Sequence, residues 1–69
     1  MEIKSYSKSY LARAYAPDIA PASAVVRLNR WIHRCRPLHE ALLATGYYET
    51  QKVFTAKQVE LIFYFLGSP

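Results

Sequence analysis

Hydrophobic and polar positions follow a helical period over most of this chain. In "KSYLARAYA", Leu11, Ala12 and Tyr15 share one face, and Ser7 stands where an N-cap is needed. Pro17 stops this first helix at or before Ala16, because the residue preceding a proline avoids the α region. A second helix begins with Pro21 in its first turn or Ser23 as its cap. Ala24, Leu28, Trp31, Ile32 and Cys35 then recur at i, i+4, i+7, i+8 and i+11, which predicts one buried stripe. Pro37 breaks that helix and opens a third, "PLHEALLAT", with Leu38, Leu42 and Thr45 on one side and Gly46 as the C′ residue. A fourth starts at a capping box, Thr55 to Gln58, with Phe54 and Val59 at the two hydrophobic-staple positions. Its body, "VELIFYFL", gives Val59, Ile62, Phe63 and Leu66 to one face and leaves Leu61 and Phe65 for another.

Two segments lack that period. Residues 47–54, "YYETQKVF", hold aromatic and β-branched residues around a polar centre, which suits a hairpin or loop resembling a wing. Residues 1–6, "MEIKSY", alternate loosely as a short strand or an extended arm. The pattern therefore predicts a mostly α, four-helix, helix-turn-helix-like domain with a possible short β wing at 47–54. Its core is expected to contain Leu11, Tyr15, Leu28, Trp31, Ile32, Leu42, Phe54, Val59, Ile62 and Phe63.

Composition narrows this picture. At 69 residues the chain supports one core, so 1–69 is read as a single domain. With 52% hydrophobic and 20% charged residues it is too apolar to stay disordered. The longest apolar run, Leu61 to Leu66, is too short to span a bilayer, and the N-terminal stretch has no apolar run of signal-peptide length. Cys35 is alone, which rules out an intrachain disulfide and fits a reducing cytoplasm. The net charge of +4 favours acidic partners, although the same charge also serves solubility.

The basic residues concentrate in "RLNRWIHRCR". At about 100° per residue, Arg27, Arg30 and Arg34 fall in a narrow arc with Ser23, about 130° from the centre of the apolar stripe. A recognition helix needs that division: an apolar back that locks onto the scaffold and a front of arginines that reaches phosphates and base edges. Lys52 would join them from the wing, giving a module for double-stranded DNA. The competing reading is a solvated helix face. Asn29 and His33 sit to one side of the arc. Catalysis is not expected, because no nucleophile and base can be paired. Cys35, His33 and His39 are too few for a recognised zinc spacing, and two glycines exclude a Gly-rich phosphate loop, so neither a metal nor a cofactor is expected. The alternative function is a protein-interaction module or homodimer, with Leu61 and Phe65 at the interface and Gln58 and Tyr64 rimming it. Ile3 and Tyr6 of the arm are the intramolecular candidates to cover the same pair.

The segments "KSYLARAYAP", "AVVRLNRWIHRC", "PLHEALLATGY" and "FTAKQVELIFYFLGSP" together resemble DUF4248, a family of short proteins of Bacteroides and relatives with no assigned reaction, substrate or cofactor. The resemblance covers nearly the whole chain and implies no functional residues. A weaker similarity links "YLA" at 10–12, "RLNRWI" at 27–32 and "GYYETQKVFTAKQVELI" at 46–62 to winged helix-turn-helix modules of the MerR and excisionase kind. That similarity implies DNA binding. The link "RAYAPDIAPAS" is longer than those modules use between their first two helices.

Overall fold

The structure, a computed structural model, describes residues 1–69. In chain order the elements are β1 (Tyr6–Ser7), α1 (Lys8–Tyr15), α2 (Pro21–Arg34), α3 (Arg36–Leu43), β2 (Val53–Phe54) and α4 (Ala56–Leu66). The protein is mostly α, four helices with one two-stranded antiparallel sheet.

Local chemistry sets the helix ends. Ser7 Oγ accepts the Tyr10 N–H at 3.1 Å and caps α1, which ends with Ala16 as its C-cap, directly before Pro17. Ala20 precedes α2 without a side-chain cap, so Pro21, whose missing N–H costs nothing in a first turn, marks the start rather than Ser23. Cys35 alone separates α2 from α3, and Pro37 lies in the first turn of α3. The turn after α3 is a Schellman closure: Tyr47 N–H donates to the Leu42 carbonyl and Gly46 N–H to that of Leu43. Gly46 takes the left-handed conformation this needs, with φ of +88°. At α4 both halves of the capping box form, Gln58 N–H donating to Thr55 Oγ1 and Thr55 N–H to Gln58 Oε1.

The strand in the 47–54 segment pairs outside that segment. Tyr6 lies opposite Phe54 and Ser7 opposite Val53, so the N-terminal arm supplies the partner that a self-contained wing would have needed from residues 47–52. Those residues turn tightly instead: Gln51 N–H donates to the Tyr48 carbonyl, while the Gln51 side chain accepts from Tyr48 N–H and donates to the Val53 carbonyl.

The core consists of Leu11, Leu28, Ile32, Leu38, Leu42, Phe54, Val59 and Ile62, all essentially inaccessible, joined by Ala12, Ala16, Ala24 and Tyr47. The buried stripe of α2 centres on Ala24, Leu28 and Ile32. Trp31 is displaced to its edge and only partly buried, with its ring edge-on to Tyr15 at 5.9 Å. The stripe runs through Ala24, Leu28 and Ile32 at i, i+4 and i+8, so Trp31, one position before Ile32, falls at its margin. Tyr15 and Phe63 likewise pack against the core without being sealed in it.

Candidate nucleic-acid interface

The face of α2 opposite its buried stripe carries Arg27, Arg30 and Arg34. All three are exposed, and none makes an ion pair or a side-chain hydrogen bond. The ion pairs of the protein lie elsewhere, joining Lys4 to Glu2, His33 to Glu49 and Lys57 to Glu60. The N-terminal half of this face is concave. A groove of about 550 Å³ is lined by Ile19, Ala22, Ser23, Val26, Arg27 and Arg30, so the exposed apolar side chain of Val26 shares it with two of the arginines.

Lys52 does not join this face. It lines a separate cleft of about 510 Å³ together with Lys8, Val25, Asn29 and Glu49. Arg27 and Asn29 are two residues apart, which at about 100° each sets them on nearly opposite sides of α2. The structure thus groups the three arginines and leaves Lys52 beside the Asn29 flank.

That flank is organised by a buried lysine. Lys8 is only 6% exposed, with Nζ donating to the Glu49 carbonyl at 2.6 Å. The same ammonium lies over the rings of Tyr47 and Phe54 at 5.5 and 5.6 Å. Burial lowers its pKa below the ordinary lysine value, and the Glu49 carboxylate acts in the opposite direction. Burial, and then Glu49, push the Tyr47 phenol up. His39 meets Tyr47 edge-on at 6.4 Å, His33 lies 4.6 Å from His39, and His33 Nε2 faces Glu49 Oε1 at 3.5 Å. The loop from Tyr47 to Lys52 is therefore clamped to α1, α2 and α3 by polar groups. Sequence reasoning missed Lys8, whose signal was its position three and four residues before Leu11 and Ala12, on the buried side of α1. No group of three His, Cys, Asp or Glu side chains is placed to hold a metal ion, and Cys35 is a partly buried free thiol.

On α4, Leu61 packs partly buried against the core, while Phe65 is more open and meets the ring of Tyr64, itself 80% exposed, at 5.0 Å. Of the arm residues, Tyr6 packs against the core and Ile3 is exposed. Gln58 does not rim an exposed patch. It is 2% exposed, accepts from Gln51 Nε2 at 2.5 Å and donates to Thr45 Oγ1 at 3.0 Å, because its capping role turns its amide inward.

These features define a small basic α-helical domain with a single two-stranded staple between its N-terminal arm and the strand before its last helix. The chain belongs to the family described as a domain of unknown function, DUF4248, whose model matches residues 2–69. No curated protein and no solved structure matches the chain. No helix is long and apolar enough to cross a membrane.

Proposed function

We propose that the protein is a small DNA-binding module of helix-turn-helix-like character, acting in the cytoplasm, in which α2 is the recognition helix. The observation that carries this reading is the set of three exposed arginines, Arg27, Arg30 and Arg34, on one face of the longest helix with no acidic partner in the fold. An arginine held by a carboxylate has already used its donors. These three keep theirs for phosphate oxygens and for the O6 and N7 edge of guanine. The opposite face of α2 is locked into the core through Ala24, Leu28 and Ile32, so the arginines are presented from a rigid support. Binding would be driven by counterion release from the phosphates, and no catalytic step is involved.

Fluorescence anisotropy with a labelled mixed-sequence duplex, run across a salt series, tests the proposal. Three phosphate contacts give a slope of log K against log salt of roughly −2.7. Arg30→Glu should abolish binding while leaving stability within about 0.5 kcal/mol, as surface substitutions generally do. Absence of binding at low salt with protein in large excess would sink the reading. A second reading, a protein-interaction module or homodimer using the end of α4 with Leu61 and Phe65, draws support from the exposed Tyr64 and Phe65 rings. Light scattering that shows a strict monomer at high concentration would remove the homodimer.

A further inference from the structure

The rings of Tyr6 and Tyr10 form an offset parallel stack where the N-terminal arm enters α1, with centroids 5.4 Å apart and planes within 2° of parallel. Tyr6 is the fixed member. Its backbone pairs with Phe54, its hydroxyl donates to the Glu2 carbonyl at 2.8 Å, and Lys4 Nζ sits 5.6 Å from its ring centroid. Tyr10 lies in the first turn of α1, where its N–H is held by the Ser7 cap, and its side chain is 58% exposed. The Tyr10 ring meets Tyr6 on one side, and more than half of the residue's surface is open to solvent. Two shallow grooves meet at this ring, one of about 400 Å³ lined by Lys4, Ser5, Tyr6, Ser7 and Tyr10, and one of about 320 Å³ lined by Tyr10, Arg13, Ala14 and Pro17. Arg13 is exposed and unpaired, and Lys4 faces Glu2 at 3.8 Å with both side chains in solvent.

We propose that the Tyr6–Tyr10 pair is a base-stacking platform for single-stranded nucleic acid, with Lys4 and Arg13 meeting the phosphates on either side. Parallel aromatic planes that end in an open face are continued by a third flat ring, and a nucleobase supplies one without any sequence requirement. A ring already ordered by its neighbour loses little freedom when the base arrives. Duplex DNA does not fit this surface, because its bases are stacked on one another and show no free face. The site is therefore separate from the arginine face of α2 and does not depend on that reading.

The test is anisotropy of a labelled oligothymidine of about ten nucleotides at low salt, set beside a strand of equal length made of abasic sites. The wild-type chain should bind the thymidine strand more tightly than the abasic one, since both carry the same phosphates and only one carries bases. Tyr10→Ala should lose roughly 5- to 150-fold in affinity for the thymidine strand, the span expected for one base–aromatic stack. Tyr10→Trp should retain or improve it. Because Tyr10 is mostly exposed, the alanine variant is expected to stay folded, with its melting point lowered only by loss of the Tyr6 contact, and Tyr10→Phe provides a more conservative check of folding. Equal affinity for the abasic strand, unchanged affinity in Tyr10→Ala, or no binding of the oligothymidine by the wild-type chain would each overturn the proposal.

Discussion

Gln58→Leu should destabilise the fold far more than a change at a polar helix position normally does. The amide is 2% exposed, and its Oε1 accepts both from Gln51 Nε2 at 2.5 Å and from the Thr55 N–H at 3.0 Å, while its Nε2 donates to Thr45 Oγ1 at 3.0 Å. Leucine fills the same space and makes none of these bonds. The Thr55 N–H is then left without an acceptor at the start of α4, and Gln51 Nε2 falls back on the Val53 carbonyl at 2.6 Å. Each buried group left unsatisfied costs about 1–3 kcal/mol. The Thr55 N–H is only part-buried and Gln51 Nε2 keeps one acceptor, so the total loss is about 1–3 kcal/mol. A domain of this length is stable by only about 3–10 kcal/mol. Urea unfolding followed by Trp31 fluorescence should show a lower midpoint with an unchanged slope, the signature of lost stability without a change in exposed surface. Gln58→Glu keeps both acceptor bonds and places a negative charge at the N-terminus of α4, so it should lose less than the leucine variant. A leucine variant within about 0.5 kcal/mol of the wild type would refute the reasoning and mean that the network adds nothing beyond its packing.

Leu28→Ala removes a fully buried side chain at the centre of the α2 stripe and should cost roughly 2–5 kcal/mol in the same unfolding assay. Val26→Ala, on the exposed side of that helix, should change stability by less than about 0.5 kcal/mol. Tyr15 is pushed up by burial to about 12 from an ordinary 10.0. Between these values the unfolded chain releases a proton that the folded chain keeps, so the stability Tyr15 contributes is complete below pH 10 and is lost as the pH rises toward 12. Melting temperature should fall across that interval, and less steeply in Tyr15→Phe. Leu61→Lys, which puts an ammonium against the core, should destabilise by about 1–3 kcal/mol, whereas Phe65→Lys should lose less and remain folded on circular dichroism. Equal effects would place both residues in one environment. Gly46→Ala should cost about 1–2 kcal/mol in thermal melting through its left-handed backbone alone, because a Cβ there meets no atom within 4 Å.

The helix boundaries were legible because prolines and caps act locally. Pro17, Pro21 and Pro37 each mark an end or a first turn, and the Thr55–Gln58 box formed as its spacing implies. The fourth-helix face through Val59 and Ile62 was equally clear. What local pattern does not encode is which distant segment completes a polar or strand contact. Residues 53–54 carry strand character, but nothing near them says that Tyr6 and Ser7 are the partners. Lys8 and Gln58 read as solvent-facing by residue type. Each is buried because a loop far along the chain brings it a carbonyl or an amide, Glu49 for the first and Gln51 for the second. The three arginines could be assigned to one face from spacing alone, since a helix wheel needs no partner. Lys52 could not be placed relative to them, because its position depends on how the loop folds back over Asn29.

The pairing of Ser7 with Val53 has a consequence for a chain made from its N-terminus on the ribosome. Ser7 both caps α1 and belongs to the strand, and Lys8 directly after it can leave water only when the Glu49 carbonyl and the rings of Tyr47 and Phe54 are present to receive it. During synthesis α1 therefore emerges with a charged residue on its apolar side and no means of burying it. Helices α2 and α3 can follow and α1 can pack on α2, but Lys8 gains its buried partners only once the segment before the last helix has been translated. A nascent chain stalled between α3 and β2 would hold Lys8 in solvent and leave the edge of β1 without its partner strand, so the last step of folding waits on Val53 and Phe54.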